Sequence, residues 1–103
     1  MPFTSGFDPA RLADHFAKHS GDFGAKTAAE YEAMADAFLG GPLPTDAIQA
    51  TRVGGGDLVR YNPVTNEFGV LAKSGVIRSY FKPDPKVHGL PSNPDYFHAE
   101  CKK

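Results

Sequence analysis

"LVRYNPVTNEFGVLAKSGVIRSYF", residues 58–81, decides the fold. "LVRYN" (58–62) alternates apolar and polar side chains, "PVTN" (63–66) is turn chemistry, and "EFGVLA" (67–72) resumes an apolar run. "KSG" (73–75) turns again, and "VIRSYF" (76–81) is another strand. One step back, "AIQATRV" (47–53) is β-branched enough for a strand and is joined by the turn "GGGD" (54–57). Four short strands with short loops mean an antiparallel meander. Side chains alternate across a strand, so Leu58, Arg60 and Asn62 share one face while Val59 and Tyr61 share the other. By the same rule Val76, Arg78 and Tyr80 oppose Ile77, Ser79 and Phe81. One face is expected to be core, and the other to offer hydroxyls, rings and arginines.

Upstream the period changes to that of helices. Asp8-Pro9 is an N-cap acid followed by proline at the first helical position. The helix carries Leu12, Phe16 and His19 on one side with His15 adjacent, and Gly21 is the expected stop. Thr27-Ala-Ala-Glu30 reads as a capping box. Tyr31, Met34, Ala35, Phe38 and Leu39 then form one apolar stripe, and Gly40-Gly41-Pro42 ends it. Lys82-Pro83-Asp84-Pro85 closes the sheet, and the segment after it, rich in Pro, Asn, Asp and His, reads as an irregular tail. The expectation is one α+β domain over residues 1–103: helical part about 8–40, sheet about 47–82, tail 83–103. Its two N-terminal helices pack on one face of a four-stranded antiparallel meander.

Composition bounds the function. The 103 residues, 41% apolar with eight Phe and four Tyr, are those of an ordinary globular chain. No run approaches the ~20 apolar residues of a membrane span, and no basic-then-apolar leader opens the chain. The single cysteine, Cys101, allows no disulfide within the chain, which suits a reducing compartment. Net charge is −1, split as −4 over residues 1–51 (three bases, seven acids) and +3 over residues 52–103 (eight bases, five acids). Such a split either presents one basic face to a polyanion or is scatter.

The residues that carry chemistry are few. His15 and His19 have metal-compatible spacing, but the zinc-protease pattern wants Glu after the first His and no third ligand is evident. His98 and Cys101 supply two ligands, which is not a site. No metal or cofactor is therefore expected. His15 reads either as a packed, hydrogen-bonded residue or as support for a site. His19 lies near a helix end and beside Lys18, a neighbour that lowers an imidazole's pKa toward the range acid–base catalysis uses. "GGGD" matches neither nucleotide-binding loop, Cys101 has no activating neighbour, and no serine-hydrolase elbow is present. Arg52, Arg60 and Arg78 stand in strands, each either a phosphate fork or solvated surface. His, Lys, Arg, Ser and Tyr without a carboxylate dyad are the equipment of metal-independent RNA cleavage, where the 2′-OH attacks the adjacent phosphate.

"HFAKHSGDFG" (15–24), the "YEAMADAFLGGP" helix (31–42) and "VRYNPVTNEFGVLAKSGVIRSYFKP" (59–83) together resemble the C-terminal cytotoxic domain of the colicin D family and related toxin tips of contact-dependent inhibition. The resemblance spans about residues 10–83. It implies the wider barnase–EndoU–colicin–RelE fold and a metal-independent tRNA endonuclease, with no cofactor. It further implies a monomer cut from a larger secreted toxin, acting in the cytoplasm of a target bacterium and blocked by a cognate immunity protein. The family's catalytic His follows a Lys in the first helix, a pair that falls on Lys18 and His19. Its hydroxyl residue followed two later by an aromatic in the last strand falls on Ser79 and Phe81. A second basic residue often stands two before the Lys; Phe16 occupies that place here, which leaves phosphate binding to Arg52, Arg60 or Arg78 and puts the identity of the substrate in question.

The sequence therefore reads as a small RNase toxin domain cleaving tRNA, with the anticodon loop as expected target and a 2′,3′-cyclic phosphate as product. His19 is the general acid/base, Lys18 and Arg60 stabilise the phosphate, Ser79 bonds the phosphate or the 2′-OH, and Phe81 stacks a base. His15 supports the site. With a net charge of −1, a tRNA nuclease must gather its positive charge locally, so Lys18, Arg52, Arg60 and Arg78 are expected to converge; their scatter over different faces would set the RNA reading aside. Two rivals stand beside this reading: a non-enzymatic protein-binding module, and a RelE-like ribosome-dependent mRNA nuclease, which a strongly basic chain would fit better.

Overall fold

A computed structural model describes residues 4–103. Helix α1 (Pro9–Phe23) starts as its sequence requires: Asp8 accepts a hydrogen bond from Ala10 N at 2.9 Å, with Pro9 in the first turn. It ends one turn later than expected. Gly21 is tolerated inside the helix, at about 1 kcal/mol relative to alanine, because Phe23 beyond it packs on Tyr31 and Tyr80 and holds the last turn. The stop falls instead at Gly24, whose φ of 66° is the left-handed cap that glycine takes without strain. Helix α2 (Ala28–Gly40) opens on the N-cap half of the expected box, with Thr27 Oγ1 accepting from Glu30 N at 3.1 Å. Its stripe buries Tyr31, Ala35, Phe38 and Leu39 but leaves Met34 exposed, while Asp36 is buried and accepts from Thr4 N and Oγ1.

The meander is β2 (Ile48–Thr51), β3 (Leu58–Asn62), β4 (Glu67–Leu71) and β5 (Val76–Phe81), antiparallel throughout. The sheet has five strands rather than four. Residues Gly6–Phe7 form β1, which pairs in parallel with β5, so the order is β1-β5-β4-β3-β2. Two residues are too short to leave an alternation in the sequence.

Strict alternation fails in β5. Val70 pairs with Ser79 and Leu71 with Ile77, so Arg78 is an extra residue in a bulge. Ile77 and Tyr80 therefore point into the same core, although a regular strand puts them on opposite faces. In β3 the expected alternation holds, with Val59 and Tyr61 on one side and Arg60 directed at α2 on the other.

The tail is not irregular. Asp84 caps a short helix α3 (Pro85–His88), and Ser92 accepts from Asp95 N to cap α4 (Asn93–Cys101). Helices thus cover both faces of the sheet, not one. Helices α1 and α2 close a core of Phe7, Tyr31, Phe38, Leu39, Ile77 and Tyr80. Helix α4 lays Phe97, 3% exposed, on Val59, Tyr61, Phe68 and Val70. At the centre of the sheet a Cβ on Gly69 would stand 2.9 Å from the Leu39 side chain, so glycine there lets α2 settle on the strands. Among the described residues no helix is long and apolar enough to cross a membrane.

Candidate active site

The second half of α1 runs over the end of β5, and this crossing places His19 on Phe81. The two rings stack with centroids 5.2 Å apart and planes at 27°. His19 Nδ1 faces Asp22 Oδ2 at 3.8 Å, one helical turn on. That same carboxylate oxygen accepts from Lys82 N at 3.3 Å, joining the end of α1 to the end of β5. Lys18, His19, Asp22, Phe81 and Lys82 line an open cavity of about 610 Å³.

Its far wall is the segment between β5 and α4, including Pro83, Asp84, Val87 and Asn93. A chain of side-chain hydrogen bonds pins that wall. Asn66, at a left-handed φ of 61°, donates from Nδ2 to the Pro83 carbonyl and accepts at Oδ1 from Tyr61 OH and Asn93 Nδ2. His88 completes it. Leu90 N donates to His88 Nδ1, so the ring proton sits on Nε2 and is given to Asn93 Oδ1 at 2.9 Å.

Burial sets the chemistry of the two imidazoles. It is the main cause that lowers the pKa of His19 below the ordinary 6.5; Lys18 pushes the same way, against Asp22. At neutral pH the ring is therefore uncharged and able to take a proton. His15 sits 5.1 Å from the Phe7 ring and 6.0 Å from that of His19. Its Nδ1 is buried with no hydrogen-bond partner among the described residues. Burial, then His19 and Lys18, lower its pKa as well. Packing support, not a direct substrate contact, is what this placement gives.

This fold resembles that of a ribonuclease. The chain superposes on a ribonuclease from Escherichia coli complexed with its inhibitor protein, with a TM-score of 0.53 and 22% sequence identity over 86% of this chain and 95% of that one. No protein-family profile matches the sequence, and no curated protein does. At this identity the likeness is one of fold.

The arginines do not join the cavity, and the expected convergence with Lys18 is not found. Arg60 is 5% exposed and serves the fold: Nη1 donates to the Phe38 and Gly41 carbonyls at the end of α2, and Nε and Nη2 donate to Gln49 Oε1. Arg52 is held by Asp57, Glu100 and the Glu100 carbonyl, which fastens α4 to the β2–β3 turn. Arg78 is exposed but pairs with Asp57 in that same cluster. Ser79 does not line the cavity; the bulge sets it opposite Val70, two residues back from Phe81. Cys101 is packed near the α4 core, and burial raises its thiol pKa. Among the described residues no three His, Cys, Asp or Glu side chains gather as a metal site.

Four cavity residues escaped the sequence reading. Lys82 looked like the end of a strand, and Asp22 like part of a turn. Asn66 and Asn93 looked like loop polarity, and no spacing signal links them, since they meet across 27 residues.

Proposed function

We propose that this chain is a metal-independent endoribonuclease domain that cleaves tRNA, with the anticodon loop as target. The observation that carries the reading is one cavity that brings His19, stacked on Phe81, together with Lys18 and Lys82, with Asp22 and Asp84 in the same lining. His19 takes the proton of the 2′-OH. Its Nδ1 is turned to Asp22, so Nε2 is the receiving atom. The 2′-oxygen then attacks the adjacent phosphorus, the bond to the 5′-oxygen breaks, and that oxygen takes a proton from solvent water while His19 returns its own proton to solvent, so a 2′,3′-cyclic phosphate and a 5′-hydroxyl result. Lys18 and Lys82 stabilise the charge that develops on the phosphoryl oxygens. Phe81 holds the imidazole by its face, so its role is to orient His19. The positive charge assigned to Arg60 passes to Lys82, and Ser79 is left without a role in the reaction.

The fold shared with a ribonuclease solved with its inhibitor protein and the resemblance to toxin tips support the wider setting. In it the domain is monomeric, is delivered within a larger secreted toxin, acts in the cytoplasm of the target bacterium and is neutralised by a cognate immunity protein.

The internal use of Arg52, Arg60 and Arg78 favours one second reading, a protein-binding module whose cavity docks a partner, because RNA binding draws on positive charge. One experiment separates the two. Total bacterial RNA is digested in EDTA with the wild-type protein and with His19→Ala. Discrete tRNA fragments from wild type alone support the nuclease. Intact RNA from both, with and without cytosolic extract, selects the binding module.

A further inference from the structure

The groove does not end at Lys82. Beyond it lies a smaller hollow of about 270 Å³, and the two share Asp22 and Lys82 as a common rim. Phe23 and Met34 form its apolar side, and Thr65 and Glu67 its polar side. The Phe23 ring is immobilised by stacking on Tyr80, centroids 4.2 Å apart and planes at 9°. Met34 is the residue of the α2 stripe that the core leaves outside, 36% exposed. Glu67 is held from two directions, with Oε1 accepting from Thr65 Oγ1 at 2.7 Å and Oε2 from Tyr80 OH. Lys82 Nζ stands over the rim, 5.5 Å from the Phe23 ring centroid.

We infer that this hollow is a base subsite. It takes the nucleotide next to the cleaved bond and prefers a base with an exocyclic amino group, adenine, cytosine or guanine, over uracil. The inference rests on the ribonuclease reading above. Single-stranded RNA is read by apolar contact with a base and by hydrogen bonds to its edge, and the hollow supplies one on each side. A carboxylate only accepts, and each of its oxygens keeps a second lone pair after one bond. Glu67 can thus take an amino N–H, as a carboxylate does from cytosine N4. Uracil has no amino group; its one donor on that edge, N3–H, stands between two carbonyl oxygens that repel the carboxylate. The same carboxylate, with Asp22, keeps a phosphate out of the hollow. The phosphate between the two nucleotides falls at the rim, where Lys82 meets it as a point charge.

The test is a titration of isotope-labelled His19→Ala protein with AMP, CMP, GMP and UMP, following the amide resonances of Phe23, Thr65, Glu67 and Lys82. The three amino-bearing nucleotides are expected to shift these resonances at millimolar concentration, with an affinity at least ~5-fold above that of UMP, or about 1 kcal/mol. Glu67→Gln offers a donor in place of one acceptor and is expected to move the preference toward UMP. Met34→Glu, on an exposed position that leaves the core intact, is expected to abolish the shifts. Equal response to all four nucleotides, shifts confined to Lys18 and Asn93, or no shifts overturn the subsite. Wild-type cleavage of total RNA, measured in parallel, tells its failure from that of the parent reading: RNA cut without shifts here removes the subsite alone.

Discussion

His19 is governed by two contacts and by its burial, and each makes a separable contribution. The stacked Phe81 ring holds its plane, Asp22 Oδ2 stands 3.8 Å from its Nδ1 and favours the charged form, and burial opposes that charge. Replacing His19 by Ala is expected to lower RNA cleavage by about 10²–10⁴-fold, the usual worth of a general base, with the thermal midpoint little changed. The pH profile follows from the sign of the shift. The base is the neutral ring, and its pKa lies below 6.5. Cleavage should rise with pH through a titration below 6.5 and be flat at neutrality. Asp22→Asn removes the contribution that opposes burial and is expected to move that titration lower still. A titration above 6.5 would assign the base to another group. Lys82→Ala should weaken RNA binding and flatten its salt dependence, because one phosphate contact is lost.

At the scale of elements, side chains that look functional in the sequence prove to terminate or fasten secondary structure. Arg60 satisfies two carbonyls that the end of α2 leaves unpaired, in a place water does not reach. Burial lowers its pKa, but at neutral pH the guanidinium stays charged, so four of its five donors are committed to the fold. Arg60→Ala is expected to cost about 2–3 kcal/mol in urea unfolding, the range for losing hydrogen bonds to a charged group. Activity per folded molecule should stay at the wild-type level; a loss of activity without a loss of stability would return Arg60 to the site. Helix α4 makes the second case. It covers one face of the sheet through Phe97, and Phe97→Ala is expected to destabilise by about 3–5 kcal/mol. Helix α4 also carries Asn93, which ties to Asn66 in the wall of the cavity, so a weaker α4 should loosen that wall before His19 moves.

The whole molecule places its charges economically. Near one end of the sheet Arg52, Arg78 and Lys103 pair with Asp57 and Glu100, while the cavity is lined by Lys18 and Lys82 with Asp22 and Asp84. Two depressed histidines also give the fold an acid limit. Between their folded pKa values and 6.5 the unfolded chain binds more protons than the native one, so stability rises with pH across that window. It is fully present above 6.5 and is lost as pH falls from there through the folded values. His15→Leu should reduce this acid sensitivity at little cost, since the buried Nδ1 has no hydrogen bond to lose among the described residues. Urea unfolding between pH 5 and 7 for both proteins measures it.

Local chemistry was enough to read α1's start, the N-cap of α2 and the strands from 58 to 81, because caps, turns and side-chain period act over a few residues. The same Asp-Pro signal that opens α1 recurs at Asp84-Pro85, where it opens α3, although the sequence reads there as the end of the sheet and the start of an irregular tail. Other features had no local signature. β1 is two residues long and exists only because β5 offers it an edge. The bulge at Arg78 depends on how Val70 and Leu71 meet their partners, and it alone decides that Ile77 and Tyr80 face one core. The use of each arginine was decided in three dimensions. A guanidinium goes where unpaired carbonyls and carboxylates are, and these are supplied by the end of α2, by Gln49, by Asp57 and by Glu100, from parts of the chain that meet only after folding. The sequence by itself determined the strands from 58 to 81 and named His19 on α1 as the catalytic candidate. The tertiary structure alone decided which cations stand beside that candidate, because charge pairing and burial depend on distance in space.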